Sequence, residues 1–149
     1  SDLQGNWLDS RLMRLGGCFS GMIRMAVPDE AATAFEEQVA AFLETEGYHY
    51  SLIPAGSPEP VVEGPLADLE VSGQDHPGIV HAIFRTCQQN GVNVEELSSG
   101  LETAPWSGTS VFQARARLRL PDARTLEALQ GGLEDLAADL LVEIRLQQP

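Results

Sequence analysis

The residues best placed for chemistry lie between Ser72 and Asn93, in the stretch SGQDHPGIVHAIFRTCQQNGVN. Gly, Asp, His, Pro and Gly crowd together at positions 73–78, and an apolar helical pattern starts directly after them. A helix N-terminus offers unsatisfied backbone N–H groups that attract anions, so a loop of this kind can cradle a small molecule. It can equally be a plain helix start. Asp75 is placed to cap the helix at the Gly78 N–H, Pro77 suits a first turn that needs no donor, and Gly73 allows an unusual backbone angle. Gly78 leaves the helix end bare of a side chain.

Other chemistries have thinner support. A zinc site wants closely spaced Cys and His, yet His76 and His81 stand five apart, Cys87 falls on an apolar helix face, and Cys18 and His49 are remote in sequence. No metal site and no cofactor are expected. Neither a GxSxG nucleophile turn nor a phosphate-binding GxxxxGK[ST] or GxGxxG run is present. Glu36–Glu37, Glu44–Glu46 and Glu134–Asp135 fall on helix surfaces, where solvated charge is ordinary. The expectation is a protein that is not an enzyme. The row Arg115, Arg117 and Arg119 resembles an anion site, but the neighbouring strand would present Asp68 and Glu70 on the same face. Cross-strand pairing then accounts for the row.

Charge narrows the partners. The 149 residues hold 22 acidic and 9 basic side chains, a formal charge of −13, and every basic residue is Arg. Nucleic-acid binding and docking on anionic membrane both depend on basic residues, so neither is expected. No apolar run approaches the roughly 18 residues of a membrane span, and SDLQGNWLDS lacks the pattern of a signal peptide. Two cysteines make no disulfide framework, which points to the cytoplasm.

These residues need elements to position them. IPAGSPEPVVEGP, from Ile53 to Pro65, is a linker by composition. Beyond it, Ala67, Leu69 and Val71 alternate with Asp68, Glu70 and Ser72 as a half-buried strand. Ile79, Val80, Ile83, Phe84 and Cys87 share a helical face that Asn90–Gly91 ends. Asn93–Thr103 reads as a second strand, with a bulge where Glu95–Glu96 breaks the alternation. Phe112–Leu120 is a third strand, and Asp122 caps a helix carrying Leu126, Leu129, Leu133 and Leu136. Leu140, Val142, Ile144 and Leu146 close as a fourth strand. The order βαββαβ is the ferredoxin-like split unit of an α+β protein, with the first and third strands central and both helices on one face.

The left half repeats part of this. VPD at Val27–Asp29 matches LPD at Leu120–Asp122, and Phe19 and Phe112 each lie nine residues before the matching proline. Ile23, Met25 and Val27 keep the phase of Ala116, Leu118 and Leu120. A helix with Phe35, Val39 and Phe42 follows, then a strand over Tyr48–Ile53. Gly5–Trp7 stands where Gly91–Val94 stands. Residues 1–55 therefore read as ββαβ, 56–65 as linker and 66–149 as a whole βαββαβ domain. Nothing on the left matches Leu66–Asn90, so the first domain lacks its initial strand and helix. A preceding segment, or another chain, is expected to supply them.

At these residues the sequence resembles the ACT domain. VSGQDHPGIVHAIFRTCQQNGVNVEEL is similar to its first half, where a Gly-x-Asp-x-Pro-Gly loop leads into the first helix and Gly-x-Asn opens the second strand. GNWLDSRLMRLGGCFSGMIRMAVP is similar to the first domain of the glycine cleavage system transcriptional repressor family, tandem ACT proteins without a catalytic domain. The resemblance implies a regulatory protein that senses an amino acid such as glycine, bound at a domain or subunit interface. It implies ligand contacts at Gly73, Gln74, Asp75, His76, Pro77, Gly78, Ile79 and Asn93, and on the left at Asn6. It further implies action through a protein partner, a transcriptional activator, and not on DNA directly; the open sheet face and possible edges point separately to a homo-oligomer. His76 stands where this loop often carries Arg. Two alternatives remain open: a ligand-free tandem ACT interaction module, and the regulatory fragment of an enzyme akin to formyltetrahydrofolate deformylase, which begins with a related domain.

Overall fold

The computed structural model describes residues 5–56 and 62–149. The chain divides into two compact units with their boundary between residues 58 and 59. Residues 57–61, the middle of the expected linker, lie outside the described residues.

The second unit is built as its alternation dictates. Strands β3 (Leu66–Gln74), β4 (Asn93–Thr103), β5 (Ser110–Arg119) and β6 (Val142–Gln147) form one antiparallel sheet in the order β4-β5-β3-β6. The first and third strands of the unit are thus the central pair. Helices α2 (Ile79–Gln89) and α3 (Thr125–Leu140) connect them. Successive strand side chains point to opposite faces. Ala67, Leu69, Val71, Ala114, Ala116 and Leu118 are accordingly buried against Ile79, Ile83, Cys87, Leu129 and Leu133, while the residues between them are exposed, Asp68 only in part. The expected bulge in β4 falls between Val94 and Glu96.

The solvent face of the sheet carries the Arg row, and every member has an acid. Arg117 Nε reaches Asp68 at 3.2 Å, Arg115 reaches Glu70 at 3.6 Å and Arg119 reaches Glu95 at 3.1 Å. The pairs with Asp68 and Glu70 follow from register, since these residues face Arg117 and Arg115 directly across β3 and β5. A shallow concavity of about 540 Å³ on this face sets Glu70, Glu102 and Glu143 against Arg115 and Arg145. Acids outnumber arginines there, so the lining of this concavity disfavours an anion.

Asp122 caps the entry to α3. Its Oδ1 accepts bonds from the backbone N–H of Arg124 at 2.9 Å and of Thr125 at 3.0 Å, and from the Thr125 hydroxyl at 3.1 Å. The Thr125 backbone bond foremost, with its hydroxyl, holds the Asp122 carboxyl below the usual carboxylate range. A depressed folded value contributes stability that is fully present above the unfolded pKa of about 3.9 and fades as pH falls through the folded one. Asp122→Ala is therefore expected to lower Tm at neutral pH. The difference from the parent chain should shrink in thermal melts taken below about pH 4.

The first unit contains β1 (Asn6–Leu15) and β2 (Cys18–Ala26), a short 3-10 turn at Asp29–Ala31, and α1 (Ala32–Thr45). The two strands pair antiparallel, with a bulge between Trp7 and Asp9. That bulge repeats the one in β4: Trp7 lies opposite Met25 as Val94 lies opposite Leu118. The strand expected over Tyr48–Ile53 is not formed. In the second unit the corresponding strand, β6, takes its hydrogen bonds from β3. No counterpart of β3 exists among the described residues of the first unit, so residues 48–53 have no backbone to pair with. Tyr50 instead donates its hydroxyl to Glu44 on α1 at 2.9 Å. Among the described residues no helix is long and apolar enough to cross a membrane.

Candidate functional site

The loop at 75–78 joins the end of β3 to the start of α2. Its path is fixed at both sides. The Asp75 backbone N–H donates to the Ser110 carbonyl at 3.3 Å, and the Ile79 N–H donates to the His76 carbonyl at 3.3 Å. His76 Nδ1 lies 3.0 Å from the carbonyl of Pro77. Gly78 holds the N-cap position in the left-handed region at φ 85°, where a side chain is strained. A Cβ there would touch nothing within 4 Å, so the space outside the helix start is open.

Two expectations are corrected here. Asp75 does not cap α2, because no side-chain bond reaches the helix start. The left-handed Gly78 turns the chain into the helix, and the main chain of Asp75 is tied to β5. Gly73 has no unusual backbone angle. It is the last small inward-facing position of β3, where a Cβ would lie 2.8 Å from Val142 Cγ1.

The structure brings together Gln74, Asp75, His76, Pro77 and Gly78, all exposed on one surface loop. Ile79 is 2% exposed and belongs to the core. Asn93 is elsewhere. It opens β4 opposite Arg119, which pairs with Leu66, whereas the loop follows Gln74 at the other end of β3. Eight strand residues separate the two levels, about 26 Å at the usual strand rise. One such unit cannot apply both to a single amino acid. Asn93 instead lines a groove of about 450 Å³ with Phe84, Gln88 and Val94. Asn6, its repeat counterpart, opens β1 in the first unit and is exposed.

The thiols add nothing reactive to the loop. Cys87 is buried, and burial pushes its thiol up to about 11, which keeps it protonated. Cys18 is exposed at the β1–β2 turn. Among the described residues no three His, Cys, Asp or Glu side chains group to hold a metal. What remains is an uncapped helix start with open space before it, a carboxylate three residues upstream and an imidazole beside it. That set suits a small zwitterion better than bond-breaking chemistry: backbone N–H groups for a carboxylate, a side-chain oxygen for an ammonium.

Residues 67–130 match the model of the ACT domain. The second unit is an ACT domain. Its βαββαβ order and the β4-β5-β3-β6 sheet are that family's fold, and the first unit repeats the ββα part of it. No curated protein sequence matches the chain. A solved structure provisionally described as a glycine cleavage system transcriptional repressor is 17% identical, with a TM-score of 0.73 over 98% of this chain and 82% of its own. A protein of Galdieria sulphuraria, described as unknown, is 22% identical, with a TM-score of 0.71 over 99% of this chain and 84% of its own. At these identities the likeness establishes a shared fold. ACT domains are regulatory modules.

Proposed function

We propose that the chain is an amino-acid-responsive regulatory protein, a regulator of transcription in glycine metabolism that acts through a protein partner. The observation that carries this reading is the Gly73–Gly78 loop: an exposed, uncapped helix start on an ACT domain. In this reading the N–H groups at the start of α2 hold the amino acid's carboxylate and Asp75 holds its ammonium. In this reading a second ACT unit completes the site and brings its Asn93 to the loop, as ACT domains typically bind amino acids and oligomerise. The repressor-like relative suggests glycine and transcription. A charge of −13 favours a protein partner over DNA.

Calorimetric titration with glycine, serine and the other proteinogenic amino acids tests the reading. Saturable heat is expected for at least one of them, weakened about tenfold or more in Asp75→Ala, consistent with loss of a charged hydrogen bond. The melting temperature of that variant should barely change, because Asp75 is exposed and only its backbone is tied. No heat and no thermal shift with any amino acid would sink the proposal. Undiminished affinity in Asp75→Ala would move the site off this loop.

A further inference from the structure

The β1–β2 hairpin has two faces. Cross-strand partners share one, and Trp7, Leu12, Phe19, Ile23 and Met25 fall together on the side of α1, since a Cβ on Gly5 would meet both Phe35 and Met25. The opposite, outer face carries Asp9, Arg11, Met13, Leu15, Met22 and Arg24. In the second unit the equivalent face points away from the helices and is polar. Counted from the shared bulge, Met13, Leu15 and Met22 stand where that unit has Gly100, Glu102 and Arg115. The repeats therefore differ by apolar replacements on the side that the complete unit leaves to solvent. Met13 is 59% exposed, Leu15 73% and Met22 78%. An apolar patch on such a face marks an interaction surface, not a core.

The chemistry of the patch specifies what it takes. Methionine side chains adapt in shape and make favourable sulfur–aromatic contacts, and a guanidinium is attracted to an aromatic face. Arg11 stands opposite Met22, and Arg24, held by Asp9 at 2.9 Å, follows Met22 two residues on. Residues 5–26 hold three Arg against one Asp, a net of +2 within a chain of −13. The matching occupant is an exposed aromatic group with acidic neighbours. The second unit presents one. A tight turn at 104–109 joins β4 to β5, closed by the Ala104 N–H on the Thr109 carbonyl at 2.9 Å and the Gly108 N–H on the Ala104 carbonyl at 3.1 Å. Trp106 stands on this turn 99% exposed. Residues 93–111 hold Glu95, Glu96 and Glu102 and no basic residue, with Glu102 nearest the turn. A tryptophan on a closed turn loses little freedom on binding, and Trp is enriched among interface anchors.

We propose that the Trp106 turn of one chain docks on the outer β1–β2 face of a second copy, its indole against Met13 and Met22 and Glu102 toward the flanking arginines. The two surfaces match in charge as well as in apolar content, and each chain carries both. A Trp side chain buries about 150–250 Å², well below the roughly 1,000 Å² of a stable interface. One contact is therefore weak and concentration-dependent. Two chains that exchange turn and face make it twice. The inference stands whether or not the loop of the second unit binds an amino acid.

Sedimentation equilibrium of the full chain, from micromolar to millimolar concentration, tests this. Association is expected, weakened about tenfold or more in Trp106→Ser and equally in Met22→Glu. Both positions are exposed, so the melting temperature of each variant should match the parent. In a Trp7→Phe chain, which keeps Trp106 as the sole tryptophan, emission should shift to the blue as concentration rises. Adding Met22→Glu to that chain should abolish the shift. A mixture of the Trp106→Ser and Met22→Glu chains should regain part of the association that each lacks alone, because the first still offers the face and the second still offers the turn. A chain that stays monomeric at millimolar concentration overturns the proposal, as does association that both variants leave unchanged. A Trp106 emission already blue-shifted at every concentration would also overturn it, for then the turn is covered within its own chain. A mixture that associates no better than its parts would show that turn and face do not meet.

Discussion

Phe112→Ala is expected to lower the unfolding free energy of the second unit by about 3–5 kcal/mol, whereas Phe19→Ala should change the first by no more than about 0.5 kcal/mol. The two phenylalanines are the same residue of the same repeat. Each lies nine positions before its proline and in the sixth pair beyond the strand bulge, Phe112 opposite Leu101 and Phe19 opposite Arg14. Their surroundings differ by a strand and a helix. Phe112 is 7% exposed and joins the core with Val71 and Val142, so its removal leaves a cavity that neighbouring strands cannot close. Phe19 is 63% exposed and already sees water, so truncation removes little packed surface. Residue-level hydrogen exchange in denaturant reports each unit separately. A cost above about 2 kcal/mol at Phe19 would mean that the hairpin face is covered in solution, and would identify that cover as the feature to find.

The second unit was almost fully legible in the sequence, for a specific reason. A sheet packed on one side imposes period two on every strand, and Leu69–Val71 and Ala114–Leu118 display it without interruption. Where the period broke, at Glu95–Glu96, the structure has its bulge. The pairing of the Arg row with Asp68 and Glu70 followed from the same phase. The twin bulge at Leu8 gave no such sign, because Leu8–Asp9 breaks no conspicuous pattern. Tyr48–Ile53 misled in the opposite way. Tyr, Leu and Ile suit a strand, but strand preference measures fit to a pleated neighbour, and here there is none among the described residues. At the loop, residue types located a helix start, while the choice between an Asp75 cap and a left-handed Gly78 depended on the tie from Asp75 to Ser110. That tie joins residues remote in sequence. The separation of Asn93 from the loop was legible in principle: a helix joining two parallel strands of one sheet returns the chain to the opposite end of that sheet.

Gly73→Ala is the second large effect, and it separates two roles for a glycine beside the loop. Gly73 follows Ala67, Leu69 and Val71 in phase, so its missing side chain would point inward, between Phe112 on β5 and Val142 on β6. A methyl there would lie 2.8 Å from Val142 Cγ1 and 3.0 Å from Val142 Cα and Cβ. Carbon atoms pack comfortably at about 3.5–4.0 Å, so the start of β6 must move outward. Val142 is 8% exposed and directly follows Leu141, a non-glycine residue held at φ 54°, which leaves the α3–β6 junction little freedom to yield. Overpacking of this kind costs about 1–3 kcal/mol, and that loss is the expected result in chemical denaturation. Val142→Ala in the same chain should restore part of it by removing Cγ1, and only part, because the main chain of residue 142 still crowds the new methyl. The double-mutant cycle should therefore show a favourable coupling of about 0.5 kcal/mol or more. Gly73 faces that displaced strand start and is separated from the loop by Gln74 alone, so amino-acid affinity should fall along with stability and recover along with it. An alanine at position 73 that binds poorly at undiminished stability would break that link. It would make Gly73 a residue of the loop, acting on the ligand directly, and not a residue of the β3–β6 pair.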